Sequence, residues 1–312
     1  MTTRIPLYLD CDTGIDDALA LLYLLHSPEV EIVGIGTVHG NTDPVRAARN
    51  TLDLLQLAGR ADIPVAIGAE HALDGEPHAG APHVHGDNGI GGVELPTATR
   101  APEAEAAHEM LTRLSREHVG TLRVLAIGPL TNLAIALDHD EDLTRRVARV
   151  DIMGGAIRVS GNVTAHAEAN IHNDARAADL VLRAPWPVVL VPLDVTRQHS
   201  FTPAEQDRLL ASTDPATVAV GRMLTTYMDF YETVVGDRCC ILHDPLAAAV
   251  AVDAIQPTSA FRAPLGVTDD GGVEHGRTVV TSDTQGTTSW VASVTAGAAE
   301  HLLERLLSPA AG

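Results

Sequence analysis

Apolar residues along this chain change period repeatedly, and the changes come in a regular order. Short runs rich in aliphatic and β-branched residues, IPLYLD (5–10), VEIVGIGTV (30–38), IPVAIG (63–68), LRVLAIG (122–128), RVDIMGG (149–155) and PVVLVPL (187–193), read as buried strands. Between them lie Ala- and Leu-rich stretches, 16–26, 43–58, 103–117, 131–138 and 174–183, which read as amphipathic helices. Strands that alternate with helices form parallel crossover units. The pattern therefore predicts an α/β fold: an open, mostly parallel central sheet covered by helices on both faces. A helical section follows, opened by TPAE (202–205) with Thr at the N-cap, Pro at the first helical position and Glu two residues later. RTVVTS (277–282) and SWVASV (289–294) predict a small antiparallel C-terminal hairpin at the sheet edge, before a closing helix that runs to Leu307. No linker composition or repeat interrupts the pattern, so residues 1–312 are expected to form a single domain.

The stretch 69–102 fits neither period. It contains HALDGEPHAGAPHVHGDNGIGG, and an irregular segment of that length inside a compact domain predicts a functional lid. Its histidines, at 71, 78, 83 and 85, match no zinc-binding spacing and have no cysteine nearby.

Composition narrows the partners. The net charge is −20, from 41 acidic and 21 basic residues, which excludes a surface that tracks nucleic-acid phosphates. Every basic residue other than histidine is Arg, so a P-loop lysine or a Schiff-base lysine is excluded too. The three cysteines, Cys11, Cys239 and Cys240, do not form a disulfide framework, and no leader or membrane-length apolar run is visible. A cytoplasmic protein that binds a small molecule, with no membrane partner, is expected.

Open α/β sheets bind ligands beyond the carboxyl ends of their strands. The first strand ends in DCDTGIDD, which places Asp10, Asp12, Asp16 and Asp17 within eight residues. Carboxylates this close repel by about 4 kcal/mol per pair at about 4 Å in an effective dielectric near 20, so a cation is needed among them. Alternation along the strand sets Asp10 and Asp12 on one face and leaves Cys11 on the other as a core residue. Helix capping accounts for one aspartate of the Asp16–Asp17 pair but not for the whole cluster. The later strand ends contribute Asn41 of VHGN, the segment AIGPLTN (126–132), the segment from Met153 to Asp174, and His243 and Asp244 of ILHDPLAAA. An all-oxygen set drawn from Asp10, Asp17, Asp244 and a main-chain carbonyl near the fourth strand suits Ca²⁺ better than the strictly octahedral Mg²⁺.

The segment DCDTGIDDALAL resembles the N-terminal signature of the inosine-uridine nucleoside hydrolases. VHGN, GPLTN, MGG…GN…AEAN and HDPLA resemble that family's later motifs in the same order. The resemblance spans most of the chain. It implies a nucleoside-hydrolase-like fold, a tightly held Ca²⁺, hydrolysis of the N-glycosidic bond of ribonucleosides, and a homo-oligomer, either dimer or tetramer. By position it implies Asp10, Asp17, Asp244 and the carbonyl of Ile127 as metal ligands and Asp12 as the general base. Asp16, Asn41, Asn162, Glu168 and Asn170 match the ribose-binding shell, His243 matches the histidine that assists departure of the base, and His85, Tyr227 and Tyr231 match residues around the base. Two positions depart from the family's usual pattern. Ala169 stands where an aromatic residue is common between the Glu and Asn of E-x-N, and Thr13 replaces a proline.

The residues by themselves leave other readings open. His243 ahead of Asp-Pro also reads as a satisfied loop histidine, and tyrosines at i and i+4 more often pack than recognise. A haloacid-dehalogenase-like phosphatase also carries clustered aspartates at a strand end, although Gly14 stands where its motif has Thr and its usual lysine is absent. A nucleoside- or ribose-binding protein without chemistry would keep the polar shell but would need neither Asp12 nor His243. For glycosidic cleavage the carboxylates suit the oxocarbenium-like cation that develops on the sugar, and the same acidic site disfavours a phosphorylated substrate.

Overall fold

The structure is a computed structural model and describes residues 4–75, 80–282 and 288–308. Strand β1 (Ile5–Cys11) leads into α1 (Ile15–Leu25), β2 (Val30–Thr37) into α2 (Pro44–Leu57), and β3 (Val65–Ile67) into the long irregular stretch containing α3 (Pro82–His85). Then come α4 (Ala107–Glu117), β4 (Arg123–Ala126), α5 (Thr131–His139), α6 (Leu143–Arg146), β5 (Arg149–Met153), α7 (Ala169–Asn173), α8 (Ala175–Arg183), β6 (Val188–Val191) and α9 (Leu193–Thr196). The remainder comprises β7 (Ser200–Phe201), α10 (Pro203–Leu210), α11 (Pro215–Val235), β8 (Cys240–Ile241), α12 (His243–Ala251), β9 (Pro257–Ala263), β10 (Leu265–Val267), β11 (Thr278–Val280), β12 (Thr288–Val294) and α13 (Ala298–Leu307).

The central sheet has eight strands in the order β3-β2-β1-β4-β5-β6-β12-β9. All neighbours pair in parallel except β12 and β9, which are antiparallel. Strand order reverses direction between β1 and β4. At such a switch point the adjacent crossovers leave on opposite faces, and a crevice opens beyond the carboxyl ends. The aspartate cluster lies at the end of β1 and Ile127 just beyond β4, so both border that crevice.

Both faces of β1 are covered, which is why its sequence is nearly continuous in apolar residues. Leu7, Leu9 and Cys11 pack in the core that also receives α1, α11 and α12, whereas Tyr8 faces the core built from α4, α5 and α8. Tyr8 and Asp10 share a face, with the hydroxyl donating to Oδ2 of Asp10 at 2.9 Å. Cys11 is buried in the apolar core, as its place in the alternation predicts. At α10, Glu205 accepts from the backbone N–H of Thr202 at 2.7 Å, which is the cap that TPAE predicts.

The two C-terminal segments are strands but do not pair with each other. β11 pairs antiparallel with β10 in a separate two-stranded sheet, while β12 enters the central sheet between β6 and β9. Trp290 and Val291 on β12 are buried, and a central-sheet position covers them better than an edge hairpin does. β9, with mostly exposed residues, carries no apolar alternation to announce it.

Candidate active site

The chain turns sharply after β1, and this turn concentrates the acidic groups. Asp17, in the first turn of α1, accepts the N–H of Gly14 at 2.8 Å and that of Asp12 at 3.2 Å. Asn41 donates its backbone N–H to Oδ2 of Asp12 at 2.7 Å and its side-chain amide to Oδ2 of Asp17 at 2.9 Å. A Cβ on Gly40 would overlap Oδ2 of Asp12, so the VHGN turn needs glycine to approach this closely. Thr13 bonds the Thr51 hydroxyl at 2.7 Å, which ties the turn to α2 where a proline would have stiffened it.

Oxygens of Asp16, Asp17 and Asp244 come within 4.8 Å of one another, and all three side chains are buried. The nearest titratable nitrogen is Nδ1 of His85, 4.0 Å from Asp16, but burial pushes this imidazole below its ordinary pKa and it already accepts the N–H of Ile15. Burial, reinforced by neighbouring carboxylates, raises Asp12 and Asp244 well above the ordinary carboxylate range and Asp17 to about 7. Oδ1 of Asp16 has no hydrogen-bond partner. Repulsion, an orphaned carboxylate oxygen and an all-oxygen donor set together fit a hard divalent cation.

Asp10 and Asp12 lie outside that trio. Both oxygens of Asp10 accept from the Asn132 amide, at 3.3 and 3.1 Å, and Oδ2 also accepts from Tyr8. Burial raises Asp10 to about 7, and these two donors partly offset the rise. Asn132 also donates to the carbonyl of Thr37 and accepts the N–H of Ala69, so it fastens the ends of β1, β2 and β3 together.

Above the trio lies a cavity of about 620 Å³. Its polar end is lined by Asp16, Asn41, Asp244, the Ile127 carbonyl region, Glu168 and Asn170, and Asn162 stands on one wall. Asn170 donates to the Ile127 carbonyl at 2.9 Å, while Glu168 accepts the N–H groups of Gly155, Asn170 and Ile171. Burial raises Glu168, and these bonds work against the rise.

The opposite wall is aromatic and comes from α11, with His85 from the long irregular stretch beside it. Tyr227 donates to Oδ2 of Asp16 at 2.8 Å, and the rings of Tyr227 and Tyr231 meet edge to face with centroids 4.9 Å apart. His85 lies 5.6 Å from the Tyr227 ring. The Tyr231 hydroxyl bonds Nε2 of His243 at 2.8 Å, and Thr196 bonds Nδ1 at 2.8 Å. Burial lowers His243 to about 4. The tyrosines are thus both packed and pocket-lining, and Phe230 extends the same face. Ala169 lines the cavity without a ring, so the aromatic surface here is supplied by α11.

All fourteen residues named from the sequence gather at this crevice. Eleven line the cavity, whereas Asp10, Asp12 and Asp17 lie buried behind it. Thr196, Arg197 and Tyr8 carry no signal in the sequence, because none belongs to a recognisable motif; Asn132 stands inside GPLTN, but the motif alone assigns it no role. Of the four loop histidines, His78 lies outside the described residues. Among the described residues the others join no metal-binding group.

An acidic crevice whose oxygen donors fit a hard cation faces an aromatic wall at the switch point of a parallel sheet, where open α/β folds take their ligands. The model of the inosine-uridine preferring nucleoside hydrolase family matches residues 7–302, and the chain belongs to that family. It is 36% identical over 308 residues to a pyrimidine-specific ribonucleoside hydrolase, RihA, of Enterobacter sp., with 97% of each chain covered. It is also 36% identical to a probable uridine nucleosidase of Arabidopsis thaliana, covering 80% of this chain and 77% of the relative. Among solved structures, a plant nucleoside hydrolase superposes with a TM-score of 0.94 at 31% identity, covering 98% of this chain and all of the other. A purine-preferring ribonucleoside hydrolase from Gardnerella vaginalis superposes at 0.92 with 33% identity, over 98% of this chain and 99% of that one. The protein is a nucleoside hydrolase, and the phosphatase and binding-protein alternatives fall away. Among the described residues no helix is long and apolar enough to cross a membrane.

Proposed function

We propose that the enzyme cleaves the N-glycosidic bond of ribonucleosides to free base and ribose, with Asp12 as general base and Ca²⁺ as cofactor. The observation that carries this is the buried carboxylate trio facing the Tyr231–His243 pair across one cavity. Asp17, Asp244 and the Ile127 carbonyl would hold the cation with Asp16 beside it. Asp10, the further ligand expected from the sequence, lies outside the trio and accepts from Asn132 and Tyr8. When bound, calcium supplies positive charge for the carboxylates and Lewis acidity toward water and a sugar diol.

Asp12 takes the proton of the attacking water. Two hydrogen bonds from Asn41 fix its orientation. Asp16, Asn41, Asn162, Glu168 and Asn170 hold the ribose, and the surrounding carboxylates favour the positive charge that grows on it as the bond lengthens. On the other side Tyr231 meets the departing base. A neutral His243, bonded by a hydroxyl at each ring nitrogen, orients Tyr231 toward the base rather than acting as an imidazolium acid; the base takes up one proton on leaving, and the proton that Asp12 receives from water balances it over the turnover. Tyr227 orients Asp16, and His85 closes the base side.

We further read the chain as one nucleoside-hydrolase domain, 1–312, working as a cytoplasmic homo-oligomer in nucleoside salvage; its three unbridged cysteines accord with a reducing compartment. A panel of purine and pyrimidine ribonucleosides, assayed for free ribose with and without a chelator, tests the reaction and its metal requirement together. Absence of ribose release from every ribonucleoside refutes it.

A further inference from the structure

Four consecutive residues, Asp194 to Arg197, reach two parts of the site at once. Asp194 accepts the N–H groups of Ile157 and Arg158 at 2.9 and 2.8 Å. Arg197 donates to the carbonyls of Ser160 and Gly161 at 2.7 and 2.8 Å. Between them, Thr196 holds Nδ1 of His243. The loop gripped by Asp194 and Arg197 is the one that presents Asn162.

Toward Asn162 this loop carries no regular secondary structure. Residues 158–160, 162 and 163 are exposed, and no helix or strand contains them. Its remaining ties include the Arg158 guanidinium, which stacks over the rings of Phe261 and Trp290 at 4.1 and 4.6 Å, and bonds within the loop: Gly161 N–H to the Ala165 carbonyl at 3.2 Å, the N–H groups of Asn162 and Val163 to the Ala167 carbonyl at 3.1 and 3.3 Å, and Ala169 N–H to Oδ1 of Asn162 at 2.9 Å. With Oδ1 taken, the Asn162 NH₂ is the group left to donate to a ligand. A side chain on a short exposed loop contributes to a reaction only if its position is fixed before substrate arrives, because misplacement by about 1 Å can cost about 10²-fold. Arg197 can supply that fixation, since its planar fork meets two successive carbonyls, which a single ammonium group would not span equally well.

We propose that Arg197, with Asp194 as its counterpart, is the positioning residue that fixes Asn162 against the ribose. It acts through Asn162 and not on the base, even though its neighbour Thr196 serves the base side. The inference rests on the proposed reaction and on Asn162 belonging to the ribose shell. It further assigns the α9 segment as the link between sugar recognition and leaving-group departure.

The test uses uridine with its 2′-, 3′- and 5′-deoxy analogues, on the metal-loaded full chain. For each hydroxyl the readout is the ratio of kcat/KM with and without it. Asn162→Ala is expected to lower one of these ratios by about tenfold or more, and Arg197→Met to lower the same ratio by at least about fivefold, the other two changing less. In the double variant that ratio falls no further than with Asn162→Ala alone. Asp194→Asn, which keeps the side-chain volume, gives the same signature from the other anchor and serves if Arg197→Met does not fold. A uniform loss of activity with all three ratios unchanged overturns the inference, as does full additivity in the double variant or no ratio change in Asn162→Ala. Failure of the unaltered enzyme to release ribose from any ribonucleoside instead refutes the reaction itself.

Discussion

The Tyr231 hydroxyl lies 2.8 Å from Nε2 of His243, and the two side chains reach that distance from different helices, α11 and α12. Because Thr196 occupies the other ring nitrogen, His243 is held in one orientation with both nitrogens engaged. In the proposed reaction this histidine serves the leaving group. His243→Ala and Tyr231→Phe should each reduce kcat on inosine or uridine by about 10²-fold or more, while an activated nitrophenyl riboside, whose leaving group needs no proton, should lose far less. Equal loss on both substrates would assign the pair to positioning of the sugar.

Asp12 offers the clearest separation of chemistry from metal binding, since it stands outside the Asp16–Asp17–Asp244 trio. Asp12→Asn should lower kcat by about 10² to 10⁴ while calcium, measured by elemental analysis of the dialysed protein, stays bound. Near-normal kcat would mean that another group accepts the proton.

Metal binding and pH should be linked, with a sign fixed by the carboxylates. Burial raises Asp10 and Asp17 to about 7 in the folded chain, far above the ordinary value near 3.8. Their favourable contribution is therefore fully present below about pH 4 and is lost as pH rises through 7. In chelator the melting temperature should fall progressively between about pH 4 and about pH 7. Saturating Ca²⁺ should remove most of that fall, so the stabilisation it confers grows with pH. A calcium-induced shift independent of pH would place the ion away from these aspartates. Exhaustive removal of metal should also abolish ribose release, and re-addition should restore it; full activity in metal-free protein would end the cofactor assignment.

The polar end of the cavity predicts discrimination by the sugar. Asp16, Asn41 and Asn170 converge there, and a missing hydroxyl would leave buried groups partly unpaired. Sites of this kind reject the analogue lacking the hydroxyl by about 10⁴ to 10⁵ in kcat/KM. Loss of the 2′-hydroxyl also eases cleavage of the bond itself, so a permissive site would favour deoxynucleosides. Uridine should still exceed 2′-deoxyuridine by at least about 10²-fold. Parity would show that the diol is not the anchor.

The sequence alone determined the alternation of strands and helices, the placement of the aspartates at the end of β1, and the motif order, because each rests on local periodicity or on short spacing. Continuous apolar strands required a sheet covered on both faces, and four carboxylates in eight residues required a cation. Only the tertiary structure decided which oxygens converge. Asp16 joins Asp17 and Asp244, the last two more than two hundred positions apart in the chain, whereas Asp10 bonds Asn132 and Tyr8 outside that trio. It likewise decided that β12 enters the central sheet instead of forming a hairpin with β11, since burial of Trp290 depends on neighbours distant in sequence. Thr196 and Arg197 were invisible for the same reason. A hydroxyl and a guanidinium acquire a role only through the atoms they meet, and those atoms, His243 and the carbonyls of Ser160 and Gly161, are brought to them by the packing of α9 beside the site.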